Sequence, residues 1–494
     1  MLEEPTFHDE LDTKIMRGSA WALFGFGGTN VLSFVTTIVL ARLLVPADFG
    51  LVSLTITLLA VAHLAQESGL GAALIVHKGE LRRAAASVLV FSPVVAVAMY
   101  SALFVLAPLF SDLFHAPRLT AVLRITALVV PLRGLAIMPR ALLERSMLFG
   151  PIAGMEIAGG LAQAVVAVAL AAAGAGVWSL VAGQLAAGFA QLTVAWGFSP
   201  LRPSPREAQW ATLRELARFG RHVGAANIIN YGNSAAEGIV IGRALGTKPL
   251  GFYSLASRLA QMPVDVLGNI LGRGVYAAMA QVSDDLAGVK RIWLTNLQRV
   301  ALLTVPSSIG IVFAARPLVE VMLGPSWKPA ILPLQILALN GIVQTFSATS
   351  GELFQALNRA HYRVYVEVAH FILVVPALIL GSQVRGIAGV AAAVVFVNLA
   401  TGVPVVITSM RLVRASPAEL VTSLYRPALG WAVLTAGLAV TLPFVRDHSP
   451  PVALVCLVVV GSGLYVAAIA LFARELVRSM WLSVRGASYA QPRA

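Results

Sequence analysis

The chain has 494 residues, of which 58% are hydrophobic and only 12% charged. Soluble domains carry about a quarter of charged residues, so a soluble globular protein is excluded, and the lack of strict apolar–polar alternation excludes a transmembrane barrel. The net charge of +13 fits nucleic acid at first sight, but membrane proteins collect Lys and Arg in the loops of one side.

The first residues, 1–17, are polar and mixed in charge, without the short apolar core of a cleavable signal, so the first span is expected to direct insertion. Apolar runs of about 20 residues, each long enough to cross a bilayer as a helix, then follow one another. Six of them, at about 18–40, 50–76, 86–110, 119–139, 151–173 and 176–198, make a first lobe over 18–198. The stretch FSPLRPSPREAQWATLRELARFGRH, with its prolines and five arginines, marks a basic linker over 199–221, part of it an interfacial helix. Six more spans, at about 222–245, 250–275, 299–316, 329–352, 363–382 and 386–410, make a second lobe over 222–412. Two added spans lie within 427–473, and a tail covers 474–494. The expected architecture is therefore all-α and polytopic, with about fourteen transmembrane helices: two six-helix lobes and a C-terminal pair.

Placing both ends of the chain in the cytoplasm puts 24 Lys and Arg on that side, eight on the other and four within spans. This asymmetry predicts cytoplasmic termini and accounts for the basic charge without nucleic acid. The single cysteine, Cys456, lies in an apolar run. It permits no intrachain disulfide, and no catalytic role is expected of it.

One stretch occurs twice. IVLARLLVPADFGLVSL (38–54) and IVIGRALGTKPLGFYSL (239–255) align without a gap at an offset of 201, with Arg42/Arg243, Leu44/Leu245, Gly50/Gly251, Ser53/Ser254 and Leu54/Leu255 identical. Six spans separate the two copies, an even number, so the halves are expected to insert the same way up and to be related by an axis near the membrane normal.

Polar residues inside spans are costly in lipid and point to packing or function. Asn227, Asn230, Tyr231, Ser234 and Glu237 share one face of the seventh span, and Thr29, Asn30, Ser33, Thr36 and Thr37 form a stripe in the same register of the first. Ser254, Ser257, Arg258, Gln261 and Asp265 share a face of the eighth, and Asn340, Gln344 and Ser347 lie on the tenth. Such faces must meet protein or water, so two of them predict a wet central cavity. Ser and Thr alone are as readily explained as interhelical glue. Arg133 lies deep in the fourth span, whereas Arg124, nearer its end, is positioned to snorkel. Glu67 lies near the inner end of the second span. The sequence contains no P-loop, no HExxH and no paired metal-ligand cluster, so no metal or nucleotide cofactor is expected.

Five segments carry a family resemblance: LARLLVPADFGLVSL after the first span, GLGAALIV ending the second, PRALLERSMLFGPIA after the fourth, GAGVWSLVAGQ opening the sixth, and EGIVIGRALGTKPLGFYSLASRLAQMP across the seventh and eighth. In these the chain resembles the Wzx-like polysaccharide transporters, or lipid-linked oligosaccharide flippases, of the multidrug/oligosaccharidyl-lipid/polysaccharide exporter superfamily. That resemblance implies a transporter rather than an enzyme, carrying polyprenyl-pyrophosphate-linked oligosaccharide across the bacterial inner membrane by alternating access. The product would be exopolysaccharide, capsule or O-antigen. It also implies coupling to a proton or sodium gradient, and polysaccharide polymerase and export machinery as partners. For such a cargo Asn30, Asn227, Asn230, Tyr231, Ser234 and Gln344 would meet sugar hydroxyls. Arg124, Arg133 and Arg258 would meet pyrophosphate, and Glu67, Glu237 and Asp265 would serve ion coupling. The seventh span of such proteins often has an aspartate where this chain has Glu237. A small-molecule antiporter of the same superfamily, a peptidoglycan-precursor flippase and a membrane oligosaccharide polymerase or ligase are the competing readings.

Overall fold

The computed structural model describes residues 27–66, 69–359 and 361–472, and at 61–66, 219–231, 234, 266–274, 277 and 348 it describes the backbone alone. Among the described residues all regular structure is helical. Nine helices there are long and apolar enough to cross a membrane, and Gly27–Leu43 and Pro46–Ala60 are shorter apolar helices. The chain is an all-α polytopic membrane protein. It divides into two compact units, Met1–Gly251 and Phe252–Ala494.

The first unit holds α1 (Gly27–Leu43), α2 (Pro46–Gln66), α3 (Leu70–Val76), α4 (Leu81–Leu113), α5 (Leu119–Thr126), α6 (Val129–Arg145), α7 (Phe149–Ala172), α8 (Val177–Gly197) and α9 (Trp210–Ala244). α7 packs along α8, and α4 along α6. One core cluster joins Leu70 and Leu74 of α3, Ala84 and Val88 of α4, Met138 and Leu142 of α6, and Leu213 and Leu216 of α9. That last pair explains a difference from expectation. The spacing predicts an interfacial helix within the linker and a separate span from about residue 222, whereas α9 is one continuous helix from Trp210. Its amphipathic first turns bury Leu213 and Leu216, so the segment is held by core packing and runs on into the span. Ser87 Oγ accepts the Gln209 N–H at 3.0 Å, and Arg82 Nε donates to Glu207 Oε2 at 2.7 Å, which together fasten the turn before α9 to the start of α4.

Two further segments pack α9. Gly238 and Gly242, four apart, are close-approach positions against α2 and the end of α4: a Cβ on Gly242 would lie 3.0 Å from Leu54 Cδ1 and 3.4 Å from Phe114 Cδ1, just past α4, and one on Gly238 would meet the Thr57 side chain. This GIVIG run is a small-xxx-small face of the kind that lets membrane helices approach.

The second unit holds α10 (Thr247–Gln281, after its first residues), α11 (Leu286–Met322), α12 (Ile331–Ala356), α13 (His361–Leu412), α14 (Pro417–Val445) and α15 (Pro450–Phe472). α13 is two helices joined at a break, Arg385 and Gly386, which matches the gap expected between the spans at about 382 and 386. Met279, Val289, Trp293, Leu353 and Val413 form one core cluster. A second, with Ala314, Leu434, Leu438, Val445, Ala453 and Leu457, seats the C-terminal pair α14 and α15 on α11, where the Tyr465 hydroxyl donates to the Leu302 carbonyl. α14 starts about ten residues before the expected span, because Ser416 and Glu419 form a capping box ahead of it.

The backbone repeats beyond the sequence-similar stretch. Gly176 (φ 57°, ψ −133°), before α8, and Gly386 (φ 56°, ψ −133°), within α13, adopt one conformation open only to glycine. Met147 after α6 and Asn358 after α12 both have φ 54°.

Candidate functional site

The polar face of α10 meets α12 through one amide. Gln261 Nε2 donates to Gln344 Oε1 at 2.7 Å and to Asp265 Oδ1 at 3.5 Å. A carboxylate only accepts, so the Gln261 group turned to Asp265 must be its NH2. Gln344 therefore turns its carbonyl inward, which leaves its own NH2 to donate to a ligand. Two of the expected site residues, Gln344 and Asp265, are thus brought together by Gln261, which spacing places on the polar face of the eighth span without assigning it a role in the site. Arg258 and Asp265 are both exposed on this helix. Next to Gln344 in the chain, Thr345 brings its hydroxyl to 2.7 Å from that of Thr304 between α11 and α12, and both are buried. Asn340 and Ser308 are buried there too, and neither Asn340 Oδ1 nor Ser308 Oγ has a hydrogen-bond partner among the described residues. The unit therefore carries a band of neutral hydrogen-bonding groups across an apolar bundle.

In the first unit, Asn30 of α1 is partly buried. Thr36 and Thr37 donate to the carbonyls of Leu32 and Ser33 at 2.7 Å, so these two hydroxyls are satisfied within their own helix. Glu237 of α9 is partly buried and sits next to Gly238, where α9 approaches α2. Arg133 is exposed in the second turn of α6. Arg124 donates from Nε to the Phe104 carbonyl at 3.1 Å and lies 4.3 Å over the Phe104 ring, so its guanidinium is held against α4. Asn227, Asn230, Tyr231 and Ser234 belong to α9, but their side chains lie outside the described residues, as does Glu67 altogether.

The PRALLERSMLFGPIA segment is structural in this chain. Arg145 Nη1 donates to the carbonyls of Leu74 (2.9 Å), Ile75 (2.9 Å) and His77 (2.8 Å), filling the acceptors left open at the end of α3. Arg140 pairs with Glu144 (3.1 Å) and Glu156 (3.3 Å). No group of three or more metal-ligating side chains occurs among the described residues.

Against known families, residues 39–332 match the model described as polysaccharide biosynthesis protein. The chain is 29% identical over 336 residues to the succinoglycan biosynthesis transport protein ExoT of Rhizobium meliloti (strain 1021), covering 68% of each. It is 26% identical over 384 residues to the lipopolysaccharide biosynthesis protein WzxC of Escherichia coli (strain K12), covering 77% of each. Among solved structures it is similar in fold to the lipid II flippase MurJ in an inward closed conformation, with a TM-score of 0.76 at 13% identity over 94% of this chain and 100% of that one. An inward-facing multidrug resistance MATE family transporter of the MOP superfamily gives a TM-score of 0.63 at 12% identity, over 78% of this chain and 94% of that one.

Proposed function

This chain belongs to the polysaccharide biosynthesis protein family, and we propose that it is a flippase for polyprenyl-pyrophosphate-linked oligosaccharide repeat units. The observation that carries the reading is the Gln344–Gln261–Asp265 chain, together with the buried Asn340, whose Oδ1 has no hydrogen-bond partner among the described residues, inside an apolar bundle. A sugar head carries many hydroxyls, and each hydroxyl loses water on entering hydrocarbon at a cost of about 2–7 kcal/mol unless a partner replaces it. Amides and hydroxyls are such partners, because they both donate and accept. The pyrophosphate needs positive charge, which the exposed guanidinium groups of Arg133 and Arg258 carry; the Arg124 guanidinium lies against Phe104. The lipid tail stays in the bilayer.

The names of the relatives support the same cargo class: a succinoglycan transport protein and a lipopolysaccharide biosynthesis protein. In this reading fourteen spans leave both termini in the cytoplasm of a bacterial inner membrane. The protein is a transporter, works by alternating access, draws on a proton or sodium gradient through acids such as Glu237, Asp265 and Glu67, and hands its cargo to polymerase and export machinery.

The test is transbilayer transfer. Purified protein is reconstituted into liposomes carrying a labelled polyprenyl-pyrophosphate oligosaccharide in one leaflet, and head-group accessibility is followed in time. Fast transfer in wild type, lost in Glu237→Gln and Arg133→Ala, is the expected result. Absence of transfer across several sugar heads, with proton-dependent efflux of a small cation instead, would assign the antiporter.

A further inference from the structure

A cavity of about 490 Å3 lies in the first unit. Three turns wall it: Val45 and Asp48 where α1 passes into α2, Arg118 where α4 passes into α5, and Gly174 to Trp178 between α7 and α8. Its size falls within the range of small-molecule sites, about 300–1,000 Å3. Asp48 is partly buried, Arg118 is exposed and acts on Asp48 electrostatically, and the Trp178 side chain is 40% exposed. Gly174 (φ 81°) and Gly176 (φ 57°) give the third turn a path that a residue with a Cβ rarely follows, and a Cβ on Gly176 would lie 3.8 Å from Asp48 Oδ2.

The internal repeat shows what the fold itself requires here. At the offsets set by Gly50/Gly251, Met147/Asn358 and Gly176/Gly386, the counterparts of Asp48, Arg118 and Trp178 are Pro249, Pro329 and Ala388. The counterpart of Ala116 is Trp327, which is fully buried in edge contact with Phe252 at 5.9 Å between ring centroids. The second copy therefore closes the same three turns with proline, alanine and a packed indole. A carboxylate, a guanidinium and an exposed indole are not needed for the turns to fold.

The chemistry of the three groups narrows the ligand. A phosphate or other small anion would meet the Asp48 carboxylate, and a simple cation would meet Arg118. A neutral ring with hydroxyls on its edge and C–H groups on its face satisfies all three: hydroxyls donate to the carboxylate and accept from the guanidinium, and the face lies on the indole. Placement of Trp178 in an interfacial aromatic belt would account for the indole but for neither charge.

We propose that this cavity is a pyranose-binding site that receives one sugar residue of the glycan. The source of the sugar rests on the flippase reading, in which the three turns face away from the cytoplasm and the site holds the head after it has crossed. Binding of the neutral methyl pyranosides of the gluco, galacto and manno series to the full chain in nanodiscs, read by saturation-transfer NMR, tests it. The expected result is binding of at least one glycoside in wild type, weakened about tenfold by Trp178→Ala and by Asp48→Asn and restored by Trp178→Tyr, with unfolding temperatures unchanged. Two results would overturn the site: no glycoside binds, or binding persists at full strength in both weakened variants. Leaflet transfer on the same preparations separates the two readings. Transfer without glycoside binding removes this site alone, whereas binding at the site without transfer upholds it and removes the flippase.

Discussion

Gly50 and Gly251 lie backbone against backbone. A Cβ on Gly50 would overlap the Thr247 carbonyl and stand 2.9 Å from the Gly251 nitrogen; a Cβ on Gly251 would overlap the Pro46 carbonyl and stand 3.0 Å from the Gly50 nitrogen. Pro46 and Thr247, like the two glycines, are 201 positions apart. The contact maps onto itself when the copies are exchanged, so each helix start supplies the same surface to the other. Gly50→Ala and Gly251→Ala should each cost about 1–3 kcal/mol, the range for overpacking a filled contact. Gly154 in α7 has nothing within 4 Å of its would-be Cβ. Its replacement by alanine should instead add about 0.5–1 kcal/mol through helix propensity. Thermal unfolding in detergent, followed by size-exclusion fluorescence, reads both signs.

Arg145 is expected to matter for stability more than for transport. Its removal leaves the carbonyls of Leu74, Ile75 and His77 without their shared donor. A hydrogen bond to a charged group contributes about 1.5–3 kcal/mol, so Arg145→Ala should lower the unfolding temperature markedly. Arg145→Lys should rescue it only in part, since an ammonium lacks the planar fork. Equal stability of the three proteins would refute the capping role.

Gln261→Leu should slow leaflet transfer about tenfold, the effect of losing about 1.4 kcal/mol of interaction with the moving head. The substitution leaves Gln344 and Asp265 without the amide that joins them. Gln261→Glu is the more telling variant. Its carboxylate cannot donate to Gln344, so the Gln344 amide must reverse and present its oxygen to the cargo. Transfer rates of the two variants, compared at matched protein content, decide whether donor direction or mere polarity is read.

The Arg82–Glu207 pair should make the turn before α9 sensitive to acid. The hydrogen bond from Arg82 is the main cause that holds the Glu207 carboxyl below its usual range. A depressed carboxylate stabilises the fold above its unfolded pKa, and that contribution is lost as pH falls through the folded value. Hydrogen exchange of the amides at 206–209, corrected for intrinsic rates, should therefore accelerate as pH falls below the ordinary glutamate range. Glu207→Gln should show the faster exchange already at neutral pH, and no difference from wild type there would count against the pair. Both side chains face solvent, so the effect is local.

Much of the fold is legible in the chain because membrane insertion selects on local length and apolarity. The break at Arg385–Gly386 within α13 falls where the spacing of apolar runs predicts a loop. Where expectation and structure part, the cause is packing by amphipathic segments. The expected interfacial helix is continuous with the span in α9, and its Leu213 and Leu216 enter a core shared with α3, α4 and α6. α14 starts about ten residues before the apolar run because a capping box, S-P-A-E, opens the helix in a polar segment. The GIVIG face of α9 was likewise present as a motif, but its partner, Thr57, lies far off in the chain.

The sequence by itself determined that this is a helical membrane protein, that it is built on a repeat, and which polar residues sit inside apolar runs. Each of these depends on composition or on spacing within a few turns. Only the tertiary structure decided what those residues touch. Gln344 meets an amide 83 positions away, Arg124 turns to Phe104, and Arg145 closes a helix 68–71 residues before it. A hydrogen bond between helices depends on their separation and rotation, and these are set by how all the apolar faces pack at once.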